Sequence, residues 1–255
     1  MKFIEELKIF IGSVLRWLYL FLGVLLFVFA FGFRELTLLG RDIVLPWVSS
    51  ESFTVIVFQK IVRDLIPEGV ELVVTSPLEA FWAQLSIALF LSFVVTLPVL
   101  IYSILKYLFP ALQKKERATL FKILFPSAGL FVLGCLFSYY FLAPSTIEIL
   151  YVYYVQTIGV TSFFALKEFI PFVLALTFGV GIVFMLPVFM ILLSYLGLIS
   201  PAFWKDNWKY SLLTFLILSA IITPDGSGIT MGFLSVPLML LYGTGYLVSK
   251  KVAAH

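Results

Sequence analysis

Two long, uninterrupted apolar runs flank the short charged stretch Tyr107–Arg117, and that arrangement leaves few folds open. A helix of about 20 apolar residues is apolar all round, and two of them overfill the interior that a chain of this length can build. The bilayer is the solvent that accepts such runs. Tyr107-Leu108-Phe109-Pro110-Ala111-Leu112-Gln113-Lys114-Lys115-Glu116-Arg117 then becomes a loop at its surface. Composition agrees: 62% of the 255 residues are hydrophobic and 12% charged, with a mean hydropathy of +1.12, against roughly 45–50% apolar and about 25% charged in soluble domains. The runs are continuous and do not alternate in ~10-residue strands, so the pattern is that of helices and not of a β-barrel.

At about 20 residues per span, the chain has room for six helices in one membrane domain covering residues 1–255. The expected fold is an all-α, polytopic membrane protein with spans at about 15–33, 81–106, 119–141, 168–194, 208–222 and 229–248. Residues 1–14 place Phe3, Leu7 and Phe10 on one side of an amphipathic start. Glu5 and Glu6 fall where a signal peptide carries its basic region, so no cleavable signal is expected. Residues 34–80 form the longest polar segment, an extramembrane cap in which Pro46 stops local structure. Within it, Phe53, Ile56, Val57, Ile61 and Leu65 recur at helical spacing and predict an amphipathic helix over about 51–66. Pro98 kinks the second span, Pro144 ends the third, and 145–167 read as a loop. The fifth span, at about 15 residues, falls short of a ~30 Å hydrocarbon core.

Orientation follows from the cations. An N-terminus inside puts Lys2, Lys8, Arg16, Lys106, Lys114, Lys115, Arg117, Lys122, Lys205, Lys209, Lys250 and Lys251 on the cytoplasmic side. Arg34, Arg41, Lys60, Arg63 and Lys167 fall outside, twelve against five of the 17. The positive-inside rule therefore expects both termini, and the central turn, in the cytoplasm of a multi-pass cell-membrane protein.

Little chemistry is on offer inside the membrane. Every Asp, Glu, Lys and Arg near the proposed spans sits within about a turn of an end, whereas carriers and proton channels place ionisable groups at mid-depth. No repeat relates the two halves as in many secondary transporters. The only histidine is the terminal His255, and the only cysteine, Cys135, lies in an apolar run, so neither a disulfide nor a Cys/His metal site is expected. No nucleophile–base pair and no phosphate-binding glycine loop is present. The net charge of +3 is too small to point to nucleic acid. The reading is of a non-enzymatic protein without cofactor or metal.

What remains is carboxylate at the inner surface, Glu6 and Glu116. One reading makes Glu116 a solvated loop charge balanced by Lys115 and Arg117. The other uses the bidentate match of a carboxylate to a guanidinium, with Tyr107 offering an aromatic face to the cation or serving only as an interfacial anchor.

Phe109-Pro110-Ala111-Leu112 followed by Lys114-Lys115-Glu116-Arg117 resembles the first cytoplasmic loop of the TatC family, the receptor subunit of the twin-arginine protein translocase. Other signatures follow in the family's order: Glu6-Leu7-Lys8 where the family has Glu-Leu-Arg, Ser76-Pro77 with Glu79, Pro98 then Tyr102, and Phe178-Gly179 ahead of Phe184 and Pro187. Gly197, Ser200-Pro201, Thr223-Pro224-Asp225 and Pro237 complete the set, which covers nearly the whole chain. The resemblance implies a concave, glove-like bundle of six helices that binds the twin-arginine signal peptides of folded cargo. Single-span TatA-type and TatB-type subunits are the implied partners, with self-association as a further option and the proton-motive force as the drive.

Carried over residue by residue, the resemblance puts Glu6 and Glu116 on the arginine pair, with Lys8, Tyr107, Leu112 and Lys114 shaping the site. Pro46 and Asp225 support the outer face, and Pro98 and Pro110 the fold. Partner-helix docking falls at Met185, where the family often carries an acid, and at Ile229 and Thr230. The competing reading, a small-solute or ion transporter or channel, requires a polar path through the bundle.

Overall fold

The computed structural model describes residues 2–38, 41–48, 52–67, 70–108, 117–155, 163–223 and 228–252. Within these, side chains are described for 11–31, 52–67, 70–105, 125–151, 155, 163–223 and 228–252. In chain order the elements are α1 (Lys2–Ala30), β1 (Phe31–Leu38), β2 (Arg41–Val48), α2 (Phe53–Leu65), β3 (Glu71–Val73), α3 (Pro77–Leu108), α4 (Arg117–Phe137), α5 (Ala143–Ile149), β4 (Phe163–Ala165), α6 (Leu166–Phe184), α7 (Leu186–Tyr195), α8 (Pro201–Asp206), α9 (Trp208–Ile222) and α10 (Ile229–Val252). Two π-helical segments, Ser138–Leu142 and Leu150–Val155, join α4 to α5 and extend α5.

Among the described residues, five stretches are long and apolar enough to cross a bilayer: Ile11–Ala30, Pro77–Leu105, Phe125–Ile149, Leu166–Tyr195 and Ile229–Val252. The sixth expected span is α9, apolar but only 15 residues long. The elements pack as two compact units, Met1–Phe125 with Phe163–Leu174, and Pro126–Ser162 with Ala175–His255.

In the first unit α1 lies along α3 over much of its length. The Phe29 ring meets Phe81 edge-on at 5.9 Å. The amphipathic helix predicted for the cap is α2, which buries Thr54, Ile61 and Leu65 and keeps Lys60 and Arg63 in solvent. Apolar residues at this spacing share one face, which is why the helix was legible before packing was known. Phe53 fixes its start against Phe27 of α1, with ring centroids 6.0 Å apart. Pro46, expected to stop local structure, instead continues β2 and pairs with Phe33 in the antiparallel β1–β2 ribbon. A two-stranded ribbon has an open edge on each strand, where a residue with no N–H is tolerated. β3 and β4 form a short parallel pair, Glu71 opposite Phe163.

In the second unit α4 and α6 cross closely. A Cβ placed on Gly134 would sit 2.9 Å from the Gly181 α-carbon, and one on Gly181 would sit 2.8 Å from the Phe131 ring and 2.9 Å from Cys135 Sγ. Phe131 is fully buried and meets Phe178 edge-on, while Phe137 stacks on Phe184 at 5.4 Å. Small residues that let backbones approach are the usual means of holding apolar helices together where no hydrophobic effect separates protein from lipid.

The third span does not end at Pro144. A wide π turn over Ser138–Leu142 precedes it, with Ala143 N–H donating to Ser138 O, and the helix runs on through α5. The bulge absorbs the hydrogen bond that Pro144 cannot make. Ser145 and Thr146 add hydroxyl donors to Phe141 O and Leu142 O, both at 2.8 Å. The fourth span breaks at Met185, between α6 and α7. Pro187 falls in the first turn of α7, where its missing N–H leaves nothing unsatisfied, and Val188 and Phe189 N–H donate to Met185 O across the break, so the two helices remain one span.

Residue Gly197 ends α7 at φ +69°, with Leu198 N–H donating to Leu193 O at 3.0 Å. Ser200 then caps α8, accepting from Phe203 N–H at 3.4 Å. Trp204 ties this corner together: its indole N–H donates to Ser194 Oγ at 2.9 Å, and its carbonyl accepts the Tyr242 hydroxyl of α10 at 2.5 Å. α10 packs closely on α7 at Gly245, where an added Cβ would lie 3.0 Å from the Pro187 α-carbon, and is joined to α9 by Ser219 and Ser235, 3.2 Å apart and buried.

Candidate functional site

The candidate peptide-binding residues belong to the first unit, and helix geometry decides which end of it they occupy. Because Phe29, one residue from the end of α1, meets Phe81 near the start of α3, two helices that pack along one another must run antiparallel. Counting back from Phe29 to Glu6 along α1 gives about 34 Å at 1.5 Å per residue, and forward from Phe81 to Tyr107 along α3 about 39 Å. The backbones of Glu6 and Tyr107 therefore lie at the same end of the unit, within about one helical turn in height, and Lys8 lies half a turn below Glu6. Leu112, Lys114, Glu116 and Pro110 lie outside the described residues, on the connection from Leu108 to Arg117 that leaves this same end of α3.

One side chain nearby was not singled out by sequence. Arg16, just inside the apolar part of α1, folds back on its own helix, with Nε donating to Gly12 O at 3.2 Å and Nη2 to the Ser13 hydroxyl at 3.3 Å. The guanidinium is thereby partly satisfied before it meets lipid, which explains how a cation is tolerated at the edge of the span. No side-chain pattern alone announces this, because one of the two acceptors is a backbone carbonyl.

Pro98 lies inside α3 as expected. The turns before and after it are reinforced by hydroxyls: Ser92 to Ala88 O at 2.6 Å, Thr96 to Ser92 O at 2.8 Å and Ser103 to Val99 O at 2.8 Å. The Ser76-Pro77 signature with Glu79 has a local physical meaning. It builds the start of α3: Ser76 Oγ accepts from Leu78 N–H at 3.4 Å, and the Glu79 carboxylate accepts from the Thr75 N–H at 3.2 Å and from the Thr75 hydroxyl. Pro46 sits in the β1–β2 ribbon, and Asp225 lies outside the described residues.

The residues considered for partner docking are in the second unit. Met185 is the buried residue at the α6–α7 break, Ile229 opens α10 and is half exposed, and Thr230 is fully buried. Fifteen residues of α10, about 22 Å, separate Thr230 from Gly245, and Gly245 is packed on Pro187, two residues from Met185. Met185 and Thr230 thus do not share one contact point. A helix touching both would follow α10 for at least two turns.

A family model for the Sec-independent protein translocase protein TatC matches residues 5–237. A TatC of the archaeon Cenarchaeum symbiosum is 38% identical over 187 residues, 73% of this chain and 70% of that protein. One from Helicobacter pylori is 32% identical over 184 residues, covering 71% of this chain and 70–72% of the relative in two strains. Among solved structures, a crystal structure of the twin-arginine translocase receptor TatC superposes with a TM-score of 0.73 at 25% identity, over 97% of this chain and 99% of the other. The same receptor crystallised in a maltoside detergent (DDM) gives 0.74 at 26% identity. With the apolar helices, the paired α1 and α3 and the ordered signatures already in place, these likenesses make the chain a member of the TatC family of Sec-independent protein translocase proteins.

Proposed function

We propose that the chain is the receptor of a twin-arginine translocase, binding the signal peptides of folded cargo at the end of the first unit where α1 begins and α3 finishes. The observation that carries this is the antiparallel α1–α3 pair, which brings the Glu6 and Tyr107 backbones to one end, beside the connection that holds Lys114 and Glu116. In this reading Glu6 and Glu116 each take a guanidinium, Tyr107 and Leu112 frame the peptide, and Lys8 and Lys114 balance the two acids so that the site stays folded when empty. The excess of Lys and Arg assigned to that side in the sequence supports a cytoplasmic position for it and for both termini.

Residues 1–255 act as one membrane domain capped outside by residues 34–80, with Pro46 and Asp225 supporting the outer face and Pro98 and Pro110 holding the second span and its loop. The partners are TatA-type and TatB-type single-span helices, docking along the start of α10, which carries Ile229 and Thr230, and the α6–α7 break at Met185. Transport draws on the proton-motive force, and the chain itself catalyses no covalent chemistry.

The test is binding of a twin-arginine peptide to purified protein, with a twin-lysine peptide as control. A charge-assisted hydrogen bond is worth about 1.5–3 kcal/mol, so Glu6→Ala or Glu116→Ala is expected to weaken the arginine peptide by about 10- to 100-fold. Both variants should leave the weaker lysine peptide nearly unchanged. Equal affinity for the arginine peptide in wild type and both variants would overturn the assignment.

A further inference from the structure

α1 passes directly into the β1–β2 ribbon: Ala30 ends the apolar stretch Ile11–Ala30, and Phe31 opens β1. The ribbon therefore starts at the level where the bilayer ends. Residues opposite one another in an antiparallel pair share a face, and successive residues alternate between faces. The register, from Phe31 opposite Val48 to Leu38 opposite Arg41, thus sorts the charges cleanly. Both acids, Glu35 and Asp42, fall on one face with Phe31, Phe33 and Val44. Both arginines, Arg34 and Arg41, fall on the other with Leu36, Ile43, Leu45 and Trp47.

A ribbon with one side in water alternates apolar and polar residues. This one is apolar at most positions of both faces, so both need cover. The acidic face finds it at its root within the chain: Phe31 stacks on Phe27 of α1 with ring centroids 5.0 Å apart, Phe27 also meets Phe53 of α2, and α2 packs on β1. The arginine face is the opposite one, and among the described residues no element other than β1 packs along β2.

Charge and position select what covers it. A bilayer surface offers phosphates above hydrocarbon, which suits apolar side chains interleaved with arginines. Tryptophan favours that boundary, and Trp47 stands opposite Gly32, two residues past the end of the apolar stretch of α1. A protein partner on the same face would have to supply a carboxylate for each buried guanidinium, whereas lipid phosphates meet them still hydrated. Stood on end, strands of eight residues would reach about 27 Å from the boundary, carrying Leu36 and Ile43 into water; laid flat, every position stays at the surface. We infer that the ribbon lies on the leaflet at which α1 ends, its arginine face turned to the phosphates of anionic phospholipids. No residue is shared with the peptide site, so this stands or falls apart from that reading.

Spin labels read the two faces separately. Leu36→Cys and Ile43→Cys on the arginine face, and Glu35→Cys and Val44→Cys on the other, are each labelled in a Cys135→Ser background of the full chain, checked for unchanged helical circular dichroism, and reconstituted in vesicles of phosphatidylglycerol and phosphatidylcholine. Collisions with oxygen, which concentrates in lipid, are expected to exceed those with a water-soluble nickel chelate at 36 and 43, and this excess should be lost at 35 and 44. Adding Arg34→Gln/Arg41→Gln should raise nickel-chelate access at 36 and 43 and leave 35 and 44 as they were. Nickel-chelate access exceeding oxygen at 36 and 43 in the otherwise unchanged ribbon would overturn the proposal, since the face would then stand in water. So would low access to both reagents there, with dipolar broadening that disappears on dilution with unlabelled chain, since a second copy would then be the cover. A profile indifferent to the arginine substitutions would overturn it too.

Discussion

At the scale of single residues, Gly134 and Gly181 carry the sharpest constraint, because what stands in the way of a side chain there is partly backbone. An added Cβ on Gly134 would meet the Gly181 α-carbon at 2.9 Å, and backbone cannot rotate aside. Gly181→Leu and Gly134→Leu are therefore expected to cost about 1–3 kcal/mol or more by overpacking, seen as a drop of several degrees in the thermal unfolding midpoint in detergent. Gly129→Leu, with nothing within 4 Å, should be neutral and serves as the control. Gly197 differs in kind: nothing crowds it, but it sits at φ +69°. Gly197→Ala should cost about 1 kcal/mol through the left-handed backbone alone, and Gly197→Asn less, measured by the same melts. Sequence marked Gly197 only as one of the ordered family signatures and left Gly134 and Gly181 unmarked, since a close helix crossing leaves no periodic trace.

Elements were legible where one rule acted alone. The α2 helix followed from a 3.6-residue apolar period, and the apolar runs from length and composition. Prolines misled wherever neighbouring structure answered for them. Pro144 reads as a stop, yet a π bulge over Ser138–Leu142 and two hydroxyl donors carry the helix past it. Pro46 reads as a break, yet sits within β2. In each case a missing N–H is a local fact, while its cost depends on partners that only packing supplies. The candidate site was legible in the same partial way. Residue types and order named Glu6, Tyr107 and Glu116, but only the antiparallel α1–α3 pair puts two of those backbones at one end.

For the whole molecule, the distribution of cations predicts an orientation that labelling can check. In a Cys135→Ser background, Lys2→Cys should react with a membrane-impermeant maleimide only when the inner face is exposed, and Asp225→Cys should react in intact cells. The reverse pattern would invert the chain and move the proposed peptide site to the wrong compartment. Cys135 itself abuts Gly181 in the α4–α6 crossing, so its replacement by the slightly smaller serine fits the space available.

Within one unit, α9 and α10 stand side by side with very different reach. Fifteen residues span about 22 Å and twenty-four about 36 Å, whereas the surrounding hydrocarbon is about 30 Å thick. No flat sheet of lipid suits both neighbours. The leaflet has to slope from one helix to the next, so this flank of the protein carries a permanent dent in its own membrane, lower in hydrocarbon than the bilayer a few helix widths away.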